Sequence, residues 1–372
     1  MSPKGAIMIC GHGSRDDRAV SQFNNMVEQM KQTHFADYDV ESGFLEFAHP
    51  ILRDGFEKLK ARGHKKIYAL PGMLFAAGHV KNDLPSEVNN FDHENPDITV
   101  KFGRDLAIDP KLLRASADRI EEALATADNS IDRKDTLLMV VGRGTNDPDA
   151  NSNVYKVARM LQEGMGFGRV EISYSGVAHP RVNAGLREAM KMGYKRVVVF
   201  PYFLFVGILI DRIYTHTDEV AAEFPDVEFI KASYLADHPL VLESFAERLA
   251  EIDTGDNNMN CQLCKYREQI IGYEGDVATP QVGHHHHVMG IGTDGHSHSH
   301  GHSHGHGHSH GHSHGHSHGH SHDHNHDHSH DHGHSHSHSH AHSHDHDHAH
   351  NHDHDHSHNA DGAHDTVEKT GN

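Results

Sequence analysis

The fold is decided by a pattern that occurs twice, as Ala6-Ile-Met-Ile-Cys-Gly-His-Gly-Ser-Arg-Asp16 and as Thr136-Leu-Leu-Met-Val-Val-Gly-Arg-Gly-Thr-Asn-Asp147. Each copy is an apolar run followed by a glycine-containing polar loop, which predicts a buried strand that leads into a helix. Further parallels follow in the same order, about 130 residues apart: Phe47-Ala-His-Pro50 with Val177-Ala-His-Pro180, and Lys66-Ile-Tyr-Ala-Leu-Pro71 with Arg196-Val-Val-Val-Phe-Pro201. The chain therefore contains a duplicated domain.

Within each half, short apolar runs alternate with amphipathic helical patterns, and the last pattern of each half covers residues 110–125 and 239–252. This alternation is typical of βαβ units, which build a parallel sheet covered by helices on both faces. The sequence therefore predicts an α/β fold with two duplicated domains, at residues 1–128 and 129–256. A linker at 257–283 and a disordered tail at 284–372 complete the predicted organisation.

The composition excludes several classes of protein. Removing the tail's single lysine and eleven acidic residues from the totals of 33 and 53 leaves 32 basic and 42 acidic residues. The body therefore offers no basic surface for nucleic acid. No apolar run reaches the roughly 18 residues of a membrane-spanning helix. Only three cysteines occur, which favours a reducing compartment, so we expect a cytoplasmic protein without nucleic-acid or membrane partners.

The tail from His284 to His364 holds 37 of the 46 histidines, mostly spaced two residues apart with Gly, Ser, Asp or Asn between them. Such a segment cannot form a core, but its imidazoles bind borderline divalent cations such as Co²⁺, Ni²⁺, Zn²⁺ and Fe²⁺. We interpret it as an accessory metal store or buffer rather than the catalytic site. A solubilising linker is the alternative. The repeating pattern begins with His296, His298, His300, His302 and His304.

Two histidines of the first half are candidates for a functional site. His12 and His79 each follow a predicted strand, and the carboxyl ends of parallel strands gather at one edge of a sheet. The second half has Arg143 in place of His12 and an apolar loop, Phe205-Val-Gly-Ile-Leu-Ile, in place of the His79 loop. Because the scaffold occurs twice and the imidazoles once, we predict that both histidines bind metal and act in catalysis.

Glu46 follows the second predicted strand and is the candidate for a third metal ligand, which would complete a His-Glu-His set suited to a borderline cation. A helix-capping carboxylate is the alternative interpretation. His49 and His179 occupy equivalent Ala-His-Pro turns, so we expect structural roles for them. His64 is predicted to lie at the surface, and Cys10 to be a small buried hydrophobic residue.

The loop Gly11-His-Gly-Ser14 also resembles a phosphate cradle at a helix N-terminus. However, it lacks the P-loop lysine and the G-x-G-x-x-G pattern, and adjacent aspartates would repel phosphate. Its amides, with Ser14 and with Arg15 or Arg18 nearby, can instead receive a substrate carboxylate. We therefore do not expect nucleotide binding.

Three motifs in sequence order, together with the duplication and the tail, carry a family resemblance. These motifs are Cys10-Gly-His-Gly-Ser-Arg15, Gly43-Phe-Leu-Glu-Phe-Ala-His-Pro50 and Pro71-Gly-Met-Leu-Phe-Ala-Ala-Gly-His-Val-Lys-Asn-Asp-Leu-Pro85. The chain resembles the CbiX sirohydrochlorin chelatases, which are class II chelatases, and it is most similar to their long form with a Met-x-Cys-x-x-Cys and a histidine-rich region. The resemblance implies two chelatase-like domains and insertion of a divalent metal, most often Co²⁺ for cobalamin, into sirohydrochlorin. It also implies that His12 and His79 bind the metal and accept protons.

The resemblance further implies basic side chains in the cleft, because the substrate carries eight carboxylates. Arg143 is the main candidate, with Arg15 beside it, and Lys81 and Arg212 also lie in loops near the cleft. Two other functions remain open: insertion of Fe²⁺ for sirohaem, and a non-enzymatic metal store. Neutral imidazole suits chelation because it binds borderline metals and accepts protons near pH 7.

Cys261 and Cys264 form a lone Cys-x-x-Cys after the last predicted helix. By itself the motif fits a redox dithiol, half of a zinc site or half of a cluster site. The family resemblance favours a 4Fe–4S cluster. Two thiolates do not complete such a cluster, so either other ligands contribute or two chains share it in a homodimer.

Overall fold

Two four-stranded parallel sheets form the framework of the computed structural model, which describes residues 3–254. The first half contains the strands β1 (Ala6–Gly11), β2 (Asp39–Phe44), β3 (Lys66–Pro71) and β4 (Thr99–Phe102). Its helices are α1 (Asp17–Gln32), α2 (Leu52–Ala61), α3 (Leu84–Glu94) and α4 (Pro110–Leu124). The strand order is β2-β1-β3-β4, which places β1 between the strands that precede the other two site loops.

The second half repeats this arrangement. Its strands are β5 (Thr136–Gly142), β6 (Arg169–Tyr174), β7 (Arg196–Pro201) and β8 (Glu228–Lys231), in the order β6-β5-β7-β8. Its helices are α5 (Pro148–Met165), α6 (Val182–Met190), α7 (Ile208–Glu223) and α8 (Pro239–Thr254). The predicted fold class is confirmed for the described residues, and the predicted domain boundaries stay predictions.

Alternating side chains of the strands serve two different cores. In β1, Ile7 and Ile9 belong to a core that also contains Leu138 and Val140 of β5, so both halves share it. The intervening Met8 faces an outer core formed with helices of the first half alone. A strand that is covered on both faces needs a continuous apolar sequence, which is the pattern that both copies show.

Aromatic rings connect the halves near the cleft. The ring of Phe23 on α1 lies 4.9 Å from that of Phe44 in β2 and 5.7 Å from that of Phe205 in the second half. Aromatic pairs at these separations stabilise packing beyond the area that they bury. The loops that follow the strands of the two halves are thereby held opposite each other.

Several single-residue predictions are decided by the packing. Cys10 is fully buried in β1 as predicted, and burial raises the pKa of its thiol. The prediction that His64 lies at the surface is wrong: the side chain is largely buried, and its Nε2 lies 2.8 Å from Asp39 Oδ2. His49 and His179 stand at equivalent exposed positions, each followed by a cis proline.

No helix within residues 3–254 is long and apolar enough to cross a membrane.

Candidate metal site

Three side chains converge at the carboxyl edge of the first sheet. His12 follows β1, and the backbone pairing continues past the strand ends, where Glu46 N donates to His12 O over 3.0 Å. His79 begins the helix that follows β3, the other neighbour of β1. The three loops are therefore adjacent because their strands are adjacent, which is the position where ligands bind in open α/β sheets.

The donor atoms of this triad lie within bonding reach of one ion. Nε2 of His12 lies 3.3 Å from Glu46 Oε1, and Nε2 of His79 lies 3.9 Å from the same oxygen. One donor atom from each residue lies within 4.8 Å of the other two. A tetrahedral ion with bonds of about 2.1 Å places its ligands roughly 3.4 Å apart, so a small contraction of the triad would complete three of four positions.

Hydrogen bonds at Nδ1 fix the orientation and the tautomer of each imidazole. His12 Nδ1 lies 2.9 Å from Gly13 O, and His79 Nδ1 lies 2.7 Å from Asp83 Oδ2. A carbonyl or carboxylate oxygen only accepts, so each Nδ1 carries the hydrogen and each Nε2 keeps its lone pair. His12 Nε2 is buried and has no hydrogen-bond partner among residues 3–254, and this is the state that a metal ligand requires.

Burial sets the protonation state of His12. Removal from water lowers the pKa of its imidazole, and the neighbouring His79 lowers that pKa further. The two rings form an edge-to-face pair with centroids 4.6 Å apart. Because burial disfavours the charged form, His12 stays neutral at pH 7 and its lone pair is available.

Glu46 is the least exposed member of the triad, with 5% of its side chain accessible. A carboxylate at this depth is stable only when it is paired or bonded, and a cation shared with the two Nε2 atoms would pair with it. The alternative role of helix cap falls to another residue: Asp54 Oδ2 accepts from Ile51 N at the start of α2. The position of Glu46 therefore fits a metal ligand.

His79 lies in a π-helical turn, His79–Asp83, in which Leu84 N donates to His79 O five residues back. From Pro71 to the helix-capping Asn95 is 24 positions, whereas the equivalent span from Pro201 to Phe224 is 23. The helical segments after β3 and β7 are both 16 residues long, at 79–94 and 208–223, so the additional residue of the first half lies in the loop before His79. π-turns of this kind are frequent at functional sites.

Asp83 is a site residue that the sequence analysis did not single out. Its carboxylate is 2% exposed and accepts from His79 Nδ1. A carboxylate on the far nitrogen orients an imidazole ligand and raises its basicity. The available signal was the spacing of four residues from His79, which places both side chains on one helix face.

The triad opens into a cleft of about 400 Å³ between the halves. Apolar side chains dominate its walls, among them Phe75 of the first half and Phe203 and Ile208 of the second. Ser14, Arg15 and Arg143, predicted to bind substrate, also line the cleft. The walls therefore suit a flat apolar molecule, and the basic residues suit acidic groups on it.

The predicted basic residues differ in their availability. Arg143 occupies the place of His12 in the second half and lies near enough to lower the pKa of His12 slightly. The guanidinium of Arg15 stacks over the Phe47 ring at 4.9 Å, and Ser14 Oγ accepts from Asp16 N. Lys81 is buried against carboxylates of the second half, so it does not present its charge to the cleft.

Arg18 and Arg212 also have protein partners. Arg18 pairs with Asp16 and Asp211, and Arg212 Nη1 lies 3.5 Å from Ser175 O.

The predicted roles of the C-terminal motifs concern residues outside the described part of the chain. These are Cys261 and Cys264 of the cluster prediction, and His296, His298, His300, His302 and His304 of the tail. Cys10 is too deeply buried in β1 to serve as a ready third thiolate. The cluster and the metal store stay predictions, and none of the chemistry below depends on either.

Comparison with known proteins gives a consistent assignment. The profile of the CbiX family matches residues 6–123 and 137–252, one match in each half. The sirohydrochlorin cobaltochelatase of Priestia megaterium is 33% identical over 266 residues, covering 72% of this chain and 86% of that protein. The sirohydrochlorin ferrochelatase of the same organism is 30% identical over 234 residues, covering 63% and 85%. The solved structure of SirB from Bacillus subtilis with Fe³⁺ aligns with a TM-score of 0.60 and 26% identity, covering 69% of this chain and 99% of that one.

Proposed function

The chain belongs to the CbiX family, and on that premise we propose that it is a sirohydrochlorin cobaltochelatase. This lyase inserts Co²⁺ into sirohydrochlorin, a tetrapyrrole, and releases two protons, as a step of cobalamin biosynthesis. Both the metal ion and the macrocycle are substrates. The observation that carries the proposal is the convergence of two imidazole Nε2 atoms and one buried carboxylate at the mouth of an apolar cleft.

The triad matches the first task of a chelatase, which is to hold a metal ion without trapping it. Two neutral nitrogens and one carboxylate bind a borderline divalent cation. Three protein ligands leave at least one coordination position open toward the cleft. The macrocycle can therefore reach the ion from the cleft while His12 and His79 still bind it.

The second task is to remove two pyrrole N–H protons as the metal enters the ring. Once the ion has left, His12 Nε2 and His79 Nε2 have free lone pairs that accept protons. Asp83 stabilises a positive charge on His79 over a 2.7 Å contact, whereas burial opposes a charge on His12. The Asp83 contact therefore supports proton transfer to His79, and Glu46 offers a further acceptor within the triad.

The cleft provides the binding surface for the macrocycle. Phe75, Phe203 and Ile208 offer apolar contacts for its faces. Arg143 and Arg15 offer guanidinium groups for its peripheral carboxylates, and charge-assisted bonds of this kind are the stronger class of hydrogen bond. Arg143 lies in the second half, so substrate recognition requires both halves.

Substitution of the histidines tests the proposal. His12→Ala and His79→Ala should each lower the rate of Co²⁺ insertion at least about 100-fold, with unchanged circular dichroism. The exposed His179 supplies the control, since His179→Ala removes an imidazole that is not part of the triad. The rate is measured from the absorbance change of sirohydrochlorin under anaerobic conditions. Near-normal rates in both triad variants would exclude this site.

Fe²⁺ insertion for sirohaem is the second candidate, because a relative of 30% identity bears that activity. Neither nitrogen ligands nor a carboxylate discriminates strongly between Co²⁺ and Fe²⁺. Parallel assays with Co²⁺, Fe²⁺ and Ni²⁺ at equal free concentrations distinguish these activities. A kcat/KM for Fe²⁺ above that for Co²⁺ would replace cobalt with iron in the proposal.

A non-enzymatic metal store is the candidate from another class, and the 37 histidines of the tail favour it. Truncation after Gly283 tests it. If the truncated chain still inserts Co²⁺ but needs more total metal, the tail is a buffer attached to an enzyme. If neither chain changes the spectrum of sirohydrochlorin, storage becomes the better assignment.

A further inference from the structure

Lys81 forms a buried ionic contact between the two halves. It stands two residues after His79 in the π-turn and is 4% exposed. Its Nζ lies 2.6 Å from Asp147 Oδ2 and 3.1 Å from Asp149 Oδ2, at the start of α5. The turn that carries a predicted metal ligand is therefore attached directly to the second half.

The duplication contains a reciprocal contact with the charges reversed. Asp211 stands ten residues after Pro201, just as Lys81 stands ten residues after Pro71. Asp211 pairs with Arg18. Arg18 lies in the first turn of α1, just as Asp149 lies in the first turn of α5. The side chains of Arg18 and Asp211 are 54% and 52% exposed, and an exposed pair contributes little. The buried contact is the one beside the triad.

Burial makes the stability of the Lys81 contact depend on its counter-charges. An ammonium group that is removed from water is tolerated only with opposite charges in good geometry, and here two carboxylates supply them. A π-turn is less favourable than a regular α-turn and persists where its surroundings hold it. Loss of the carboxylates would leave Lys81 to seek water, and the turn would move with it.

We propose that Asp147 and Asp149 are positioning residues for the metal triad, acting through Lys81 on the π-turn that presents His79. The second half contains none of the three ligands, yet it sets the orientation of one of them. This inference rests on the proposed function in taking His12, Glu46 and His79 as the ligands of the metal substrate.

The test is the double variant Asp147→Asn/Asp149→Asn in the full chain. Asp147 also caps α5 by accepting from Asp149 N and Ala150 N, and asparagine caps equally well. The variant therefore removes charge without removing the cap. The control is Asp211→Asn, which removes the carboxylate of the exposed reciprocal contact.

Two measurements report on the metal triad and on the π-turn that carries His79. The KM for Co²⁺ is determined with free metal set by a chelator buffer, so that binding by the histidine tail does not alter it. We expect a rise of about tenfold in the double variant and less than twofold in the control. Hydrogen exchange at residues 79–84, measured without substrate, should be faster in the double variant alone. Unchanged KM and unchanged exchange would overturn the proposal.

Adding Lys81→Met to the double variant distinguishes an effect on the position of His79 from a general loss of stability. It removes the charge that Asp147 and Asp149 balance in the wild type, so stability should recover while the KM for Co²⁺ stays high. Recovery of both would show a purely structural contact and overturn the proposal. If the double variant does not fold, Asp149→Asn alone gives the same comparison at the longer contact. A wild-type chain that inserts no metal would refute the proposed function, and the exchange measurement would still decide the inference.

Discussion

Gly13→Ala is the sharpest test of the triad geometry, because Gly13 lies between two of its members. The backbone of Gly13 has φ +95°, and a Cβ there would lie 1.7 Å from the carbonyl oxygen of Glu46. Nonbonded carbon and oxygen atoms stay at least about 3.0 Å apart, so this pair must separate by about 1.3 Å. The loops that carry His12 and Glu46 would therefore move apart.

The displacement is large compared with what a metal site tolerates. Ligand distances in such sites hold to about 0.2 Å, and a misplacement of 1 Å at a reacting centre can cost about 100-fold in rate. We therefore expect Gly13→Ala to lower kcat/KM for Co²⁺ at least about 100-fold. A non-glycine residue in the left-handed region also costs about 1–3 kcal/mol of stability.

The duplication supplies the matched control. Gly144 is the equivalent residue of the second half, with φ +81° and a Cβ position 2.1 Å from Gly176 O. Gly144→Ala should therefore lose a similar free energy of unfolding. It moves the loop of Arg143 but no member of the triad, so the kcat/KM for Co²⁺ is compared at saturating sirohydrochlorin. Urea unfolding measures the stability of each variant, and the metal-buffered absorbance assay measures its rate.

The comparison between these two variants decides the question. The expected result is similar stability with a difference of at least about tenfold in kcat/KM. Equal losses of activity at equal stability would refute the reasoning, since the effect would then follow general destabilisation. Full activity of Gly13→Ala would refute the assignment of Glu46 and His12 to one metal site.

Three further predictions concern buried groups. Asp83→Asn should raise the KM for Co²⁺ about tenfold while the fold persists, because the charge that orients His79 is lost. An unchanged KM in the metal-buffered assay would contradict this role of Asp83. Burial lowers the pKa of His12, so its neutral ring favours folding above pH 6.5, and this contribution is lost as pH falls below that value. In metal-free urea titrations, the stability of wild type should therefore fall faster than that of His12→Gln, by at most about 1.4 kcal/mol per pH unit; parallel pH profiles would contradict the pKa shift. The hydroxyl of Tyr202 is buried without a hydrogen-bond partner among residues 3–254. Tyr202→Phe should therefore keep the free energy of unfolding unchanged or raise it by up to about 1 kcal/mol. A loss above about 1 kcal/mol in urea unfolding would show that the hydroxyl makes a hydrogen bond.

Much of the fold could be predicted from the sequence because the local patterns and the duplication agree. Apolar runs such as Ala6–Gly11 predict buried strands wherever they occur, and the second copy repeats the same order of elements. The proximity of His12 and His79 was also predictable, because both follow strands whose carboxyl ends must meet at one edge. Comparison of the halves then separated these histidines from His49, which has a counterpart in His179.

Other features depend on contacts that no local pattern specifies. Lys81 had the pattern of a loop residue available to substrate carboxylates, but packing of the halves buries it against Asp147. His64 was expected at the surface, yet Asp39 at the start of β2 pairs with it. In both cases the partner is distant in sequence, so only the folded chain determines whether the charge is free.

The sequence by itself determined the duplicated parallel architecture, because short apolar runs that alternate with amphipathic helical patterns allow few other arrangements, and it placed two imidazoles at one sheet edge. Only the tertiary structure decided which nitrogen of each ring faces the cleft, because the tautomers follow from Gly13 O and Asp83 Oδ2. It also decided that the second half holds the turn of His79, since a buried ion pair exists only once the two halves have packed. The succession of strands and helices along the chain follows from local patterns of polarity, whereas the orientation of a ligand to within a few tenths of an ångström follows from contacts between distant segments.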